Sequence, residues 1–234
     1  MGISRLDLYH LGLISDRYSV SDIKSVCDLG QQDFYHENLS PIDGFADLMK
    51  TDEAAILACK TSAEMWRVCG RRCVSLDMVG TDFLKFDLNT DKVPHRMRRA
   101  FDLVTNFGTS EHVANQLNTF QVIHDLTKPG GIMFHVVPGA GHSNHGFFCY
   151  DMRFFFSLAH ANNYAVLDTV MSVDVDTGRL NQDILDYCAT FDRGDDIFHR
   201  SHLATRFVSN DAGIRIILRR PLDKASFSTP LHLA

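Results

Sequence analysis

The residue pattern predicts an α/β fold: a three-layer, doubly wound architecture with a mostly parallel sheet. Three observations carry this expectation. Short runs rich in Val, Ile and Leu recur along the chain and end at turn signals such as Gly30, Asn106 and Pro138. Stretches with helical composition or spacing separate them, and strands alternating with helices pair in parallel, with helices on both faces. Finally, 234 residues with 45% hydrophobic and 22% charged content suit one sizeable core. A single domain over residues 1–234 is therefore expected.

In chain order, "IKSVCDL" (23–29) reads as a buried strand that stops at Gly30. "EAAILACKTSAEMWRVC" (53–69) has the Ala, Leu, Met and Glu content of a helix. "RCVSLDM" (72–78), "FDLVTNF" (101–107) and "GIMFHVVP" (131–138) read as strands. Between the last two, Val113, Leu117, Phe120, Ile123 and His124 fall at helical spacing, and Pro129, Gly130 and Gly131 end that helix. Asp151 is placed to cap "MRFFFSLAHANN", and "YAVLDTVMSVDV" and "GIRIILRR" supply two final strands.

The formal charge of −6 gives no general attraction to nucleic acid or anionic lipid, and Arg96, Arg98 and Arg99 read as a solvated turn. Uninterrupted apolar runs stay well short of the ~18 residues that cross a bilayer. The N-terminal "MGISRLDLYHLGL" lacks the order of a secretory signal, so a cytoplasmic location is expected. The cysteines at 27, 59, 69, 73, 149 and 188 lack the paired spacings of a zinc ribbon or disulfide scaffold and read as reduced thiols.

In a sheet of this kind a ligand sits outside the carboxyl ends of the strands, at the switch point of strand order. The residues expected there are Asp28 and Gly30, Asp77, Asp87, Asn106 and the segment after Pro138. A carboxylate at the end of the second strand, here Asp77, can accept from both hydroxyls of a ribose. Asp87 is placed to accept from an adenine amino group, with Leu88 or Met78 against the purine face.

The succession "VCDLG", "VSLDM", "FLKFDLN", "FDLVTNFGTSEHV" and "IHDLTKPGGIMFHVVP", in order from about residue 24 to 138, resembles the class I S-adenosylmethionine-dependent methyltransferases. "NHGFFCYDMRFFFSLAHANNY" and "IRIILRR" echo it more weakly. The resemblance implies a Rossmann-like sheet of seven strands with the last one antiparallel, and S-adenosyl-L-methionine as cofactor. It places Asp28 and Gly30 under the methionine part, Asp77 on the ribose, Asp87 and Leu88 at the adenine, and Asn106 near the amino acid end or the substrate.

The chain departs from that pattern after Gly30, where Gln31, Gln32 and Asp33 replace two customary glycines. Three readings stand. Gln31 and Gln32 hold the cofactor through their amides, as in a branch with a glycine-poor LGQQ turn; the fold binds another ligand or none; or the glutamines cap a helix outside any site. The stretch from Gly30 to Asp77 also exceeds one crossover helix, so residues 33–52 are expected to form a lid or a surface excursion.

A sulfonium methyl needs placement and exclusion of water, and a hydroxyl acceptor gains from a base. His145 is the leading candidate, with His142 on the same loop; His112 and Glu111 open a turn that borders the substrate pocket in similar enzymes. His135 reads as a packed strand residue. Glu111, His142 and His145 are residue types that suit zinc or iron, but no metal is expected, because the two histidines sit on a Gly-rich loop without a fixed face. Asn106-Phe107-Gly108-Thr109 is not the Asn-Pro-Pro-aromatic turn of base and glutamine methylation, and the chain is acidic. The expected partner is thus a small-molecule or glycan-like acceptor, methylated at oxygen, with no nucleic acid and no membrane. The alternative is a non-catalytic domain of the same fold that serves as a binding or assembly partner. A tail from about residue 221 is left to pack on this sheet or on a partner.

Overall fold

The computed structural model describes residues 2–36, 39–80, 83–142, 145–173 and 212–230. In chain order its elements are β1 (Gly2–Ser4), α1 (Arg5–Leu13), β2 (Ser25–Leu29), β3 (Asp33–Tyr35), α2 (Asp43–Met49), α3 (Glu53–Leu57), α4 (Ser62–Val68) and β4 (Arg72–Asp77). There follow β5 (Leu84–Lys85), β6 (Phe101–Phe107), α5 (Gln116–Leu126), β7 (Thr127–Pro138), α6 (Met152–Asn162), β8 (Ala165–Val173) and β9 (Ala212–Arg219).

Seven strands form the main sheet in the order β5-β4-β2-β6-β7-β9-β8. β4 and β6 flank β2 in parallel, so the strand order reverses at the carboxyl ends of β2 and β6. β9 runs antiparallel to both β7 and β8. This is the mostly parallel seven-stranded sheet with an antiparallel last strand that the resemblance implied.

All five residues of β2 are buried, and the two-residue period of a strand sends them to two different cores. Cys27 and Leu29 face a core that includes Phe120, Ile123, Phe155 and Phe156 from α5 and α6. Val26 faces a second core with Leu8, Phe45, Met65 and Trp66. Each large apolar side chain fully buried in these layers contributes about 1.5–3 kcal/mol.

Local chemistry sets the helix limits. Asp151 caps α6 by accepting from the Arg153 N–H at 2.7 Å, and Asn163 ends the helix at φ 54°. The expected helix over 53–69 is instead two helices. Thr61 accepts from the Glu64 N–H at 3.2 Å while Glu64 reaches back to the Thr61 N–H, a capping box that starts α4 anew after α3 has ended. In the same way α5 begins at Gln116 behind an Asn115 cap, so Val113 lies outside it.

Within 33–52, β3 pairs in parallel with β1, and Phe34, Ile42, Phe45 and Met49 are buried in the second core. The described part of this stretch is therefore anchored to the N-terminal segment. The described part of the tail packs on its own domain. Ser228 exchanges two hydrogen bonds with the Asn162 side chain, and Phe227 packs against the first core. No helix among the described residues is long and apolar enough to cross a membrane, and the five described cysteines are free thiols.

Candidate functional site

The switch point begins at Gly30. Its φ of +78° belongs to the left-handed region, and a Cβ there would lie 2.7 Å from Thr109 Oγ1, which donates to the Leu29 carbonyl at 2.6 Å. The Gly30 N–H donates to the Leu76 carbonyl at 2.7 Å, tying the turn to β4. Asp77, at the end of β4, gathers the neighbouring backbone. One carboxylate oxygen accepts from the Gln31 N–H at 2.7 Å, the other from the Met78 and Val79 N–H groups at 2.7 and 3.2 Å. The Gln31 amide oxygen lies against Gly80, where a Cβ would come within 2.5 Å of it. Met78 and Val79 present apolar surface beside it, 48% and 76% exposed.

Several residues expected at the ligand face inward instead. Asp28 is fully buried on the α4 side of the sheet and accepts from Thr105 Oγ1 at 2.6 Å and Cys73 Sγ at 3.3 Å. Burial pushes its carboxyl above the usual range, against the pull of those donors. The alternation of β2 explains this, because Asp28 lies one residue short of the strand end. Gln32 is likewise buried and donates to the Leu29 carbonyl and to Thr105 Oγ1, both at 3.2 Å. Leu88 is a core residue, leaving Met78 as the exposed apolar neighbour. Asp87 closes its own turn, accepting from the Asn89 N–H at 2.8 Å and Thr90 Oγ1 at 3.2 Å, and these bonds hold its carboxyl below the usual range. Asn106 is buried; its amide donates to Ser110 Oγ at 2.8 Å and its oxygen accepts from the Ser110 N–H at 3.0 Å. The inward side chains build the turns, and Gly30, Gln31, Asp77 and Met78 remain at the edge.

The turn after β6 holds Glu111 and His112, and the loop after β7 brings His145 to it. His145 Nε2 lies 3.6 Å from Glu111 Oε1 and His112 Nε2 lies 3.9 Å from the same oxygen. The loop is fixed to this turn by its backbone: the Phe147 and Phe148 N–H groups both donate to the Glu111 carbonyl, at 2.8 and 3.2 Å. Gly146 makes this approach possible, since a Cβ there would lie 2.9 Å from that carbonyl oxygen. The face that His145 lacks in the sequence is thus supplied by Glu111. His142 stands one step outside, its ring centroid 5.8 Å from that of His145.

Glu111 is fully buried, yet neither of its carboxylate oxygens accepts a hydrogen bond from another described residue. Burial, opposed by its own backbone N–H, pushes its carboxyl up to about 7. His112 is lowered by burial first and by His145 second. Ser110 is held from behind by Tyr150, whose hydroxyl lies 2.8 Å from Ser110 Oγ and 2.6 Å from Gln116 Oε1. His135 is a core residue, as its strand position implied. Burial lowers it to about 3, and its Nδ1 lies 3.2 Å from the Asn106 amide nitrogen. The supporting roles of Thr109, Ser110, Gln116 and Gly146 carry no signal in the sequence, since each depends on a partner from another segment.

A mostly parallel sheet whose strand order reverses beside a glycine turn and a strand-end carboxylate, with an acidic and imidazole cluster after β6, defines the doubly wound class of α/β domain. A family model described as a methyltransferase domain matches residues 44–203. The chain belongs to this methyltransferase family, whose cofactor is S-adenosylmethionine. Comparison with curated proteins returns no match. Among solved structures, a candidate methyltransferase from Bacillus halodurans C-125 is 10% identical with a TM-score of 0.50, covering 90% of this chain and 98% of its own. It shares the fold. A SAM-dependent methyltransferase from Archaeoglobus fulgidus is 10% identical (TM-score 0.48, coverage 92% and 94%). An O-methyltransferase from a polyketide synthase multienzyme of Brevibacillus brevis, solved with S-adenosyl-L-homocysteine, is 12% identical (TM-score 0.46, coverage 91% and 72%).

The residues at the edge fit such a cofactor. Gly30 keeps the backbone bare, Asp77 retains acceptor capacity beyond its three N–H partners, and Met78 offers an apolar platform.

Proposed function

We propose that this methyltransferase acts on a small-molecule or glycan-like acceptor and transfers the methyl group to an acceptor oxygen. S-adenosylmethionine supplies the activated methyl on a sulfonium sulfur. Gly30, Gln31, Asp77 and Met78 bind the nucleoside and amino acid parts, with Asp87 at the rim. Asp28, Gln32, Leu88 and Asn106 shape these turns from inside.

The acceptor hydroxyl is activated at the Glu111–His112–His145 cluster rather than by a histidine standing alone. The observation that carries this reading is the convergence of the two turns. Thr109 contacts the Gly30 turn, and Glu111 follows it by two residues, so the cluster borders the cofactor edge. In-line transfer needs that proximity. The half-exposed Phe148 and the exposed Phe147 wall the acceptor side. The acidic net charge and the absence of an Asn-Pro-Pro-aromatic turn favour a small acceptor over nucleic acid or a protein amide.

Calorimetric titration with S-adenosylhomocysteine tests the reading. The expected result is saturable binding to the wild type, weakened at least about tenfold in Asp77→Ala by loss of the ribose acceptor and of the anchor for Gln31, a factor of ten being about 1.4 kcal/mol. An unchanged affinity in Asp77→Ala would place the nucleoside elsewhere. No binding at millimolar ligand would favour the non-catalytic alternative.

A further inference from the structure

We infer that Glu111, His112 and His145 form a binding site for a divalent first-row transition metal ion, open on the acceptor side. One ligand atom from each of the three side chains can be chosen so that all lie within 4.8 Å of one another. Two imidazole nitrogens and a carboxylate oxygen are the donor set that suits zinc, iron, cobalt or nickel, whereas magnesium and calcium favour all-oxygen sites. Bonds of about 2.1 Å in tetrahedral geometry put ligand atoms about 3.4 Å apart. The spacings of 3.6 and 3.9 Å from Glu111 Oε1 to the two Nε2 atoms are within a few tenths of an ångström of that.

The independent observation is Glu111 itself. A fully buried carboxylate whose two oxygens accept from no other described residue is costly unless a cation or a proton compensates it. Its Oε1 faces both imidazoles, whose side chains are 39% exposed for His112 and 48% for His145. The backbone is arranged to hold this geometry. Phe147 and Phe148 clamp the His145 loop to the Glu111 carbonyl, and the Asn106–Ser110–Tyr150 hydrogen bonds fix the turn from below. Such outer supports orient metal ligands.

This inference rests on the proposed acceptor site and deepens it. Three protein ligands leave coordination positions free, and an acceptor hydroxyl bound at one of them becomes a stronger acid. Its proton leaves to water. The resulting oxyanion forms the new C–O bond as the S–C bond breaks, and the electron pair of that bond stays on sulfur, which becomes a neutral thioether.

The test uses the full chain, untagged and stripped with a chelator, titrated with Co²⁺ while the visible d–d absorption is followed. S-adenosylhomocysteine binding is measured on the same samples. The expected result is one equivalent of Co²⁺ with a visible band, weakened at least about tenfold in both Glu111→Gln and His145→Ala. Cofactor-product binding is unchanged in both variants. His145 is half exposed, so its replacement leaves the fold intact, and a thermal melt verifies this. Absence of stoichiometric Co²⁺ uptake, or equal affinity in the wild type and both variants, overturns the metal site. Loss of S-adenosylhomocysteine binding alone, with Co²⁺ still taken up at these residues, overturns the proposed function and leaves the metal site standing.

Discussion

Replacing Gly30 with Ala tests whether the turn is built around Thr109. Two costs follow from the geometry. At φ +78° a Cβ carries the left-handed penalty of about 1–2 kcal/mol. It would also stand 2.7 Å from Thr109 Oγ1, so the hydroxyl must leave the Leu29 carbonyl, to which it donates at 2.6 Å. A net hydrogen bond of this kind contributes about 1 kcal/mol. Gly30→Ala should therefore destabilise by about 2–3 kcal/mol, and Thr109→Ala alone by about 1–2 kcal/mol. The double variant removes the clash and the hydrogen bond together, so its cost should fall short of the sum by about 1 kcal/mol. Urea unfolding of the four proteins with a common m-value measures this coupling. Additive costs, within about 0.3 kcal/mol, would show that Thr109 does not define the turn, and a Gly30→Ala cost below about 0.5 kcal/mol would refute the backbone argument as well.

The neutral core imidazole makes stability depend on pH in a defined direction. His135 is lowered to about 3 in the folded protein, so between pH 6.5 and 3 the unfolded chain binds the extra proton and this residue's contribution falls as the pH falls. In urea unfolding from pH 7 to 4, the stability difference between wild type and His135→Gln should shrink by up to about 1.4 kcal/mol per pH unit below pH 6; a difference independent of pH would mean that His135 takes up its proton as readily in the fold as in the unfolded chain. Tyr150→Phe removes the hydroxyl shared by Ser110 and Gln116. A loss of about 1–2 kcal/mol is expected by thermal or urea unfolding, with weaker Co²⁺ uptake because the Glu111 turn loosens; unchanged values for both would show that the turn holds without Tyr150.

The order of strands and helices was legible because β2, β4, β6 and β7 are short apolar runs closed by turn residues, and Asp151 is a cap that acts within its own helix. Local signals of that kind need no partner. The break before α4 was also present, as Thr61 and Glu64 at capping-box spacing, but helix-forming residues on both sides hid it. The site was less legible. Asp28, Gln32 and Asn106 belong to the segments that the resemblance marks, yet whether a side chain faces a ligand or the core depends on strand phase, on Thr105 and Cys73 in the strands beside β2, and on Ser110 in the turn after β6. Gly30 and Asp77 could be placed because their position at the strand end fixes what they do. The Glu111–His145 meeting joins residues 34 positions apart, and only the parallel pairing of β6 with β7 brings their loops to one edge.

The strand order also constrains how the protein comes into being. Among the described residues β8 joins the main sheet only through β9, and β9 fills the place between β7 and β8. On a ribosome β9 emerges after both, so the nascent chain holds an open edge of β7, including Met133, Phe134 and Val136, until Ile214, Ile216 and Leu218 arrive. A chain interrupted before Ala212 would lose two strands rather than one, and its exposed β7 edge would be a template for association with other chains.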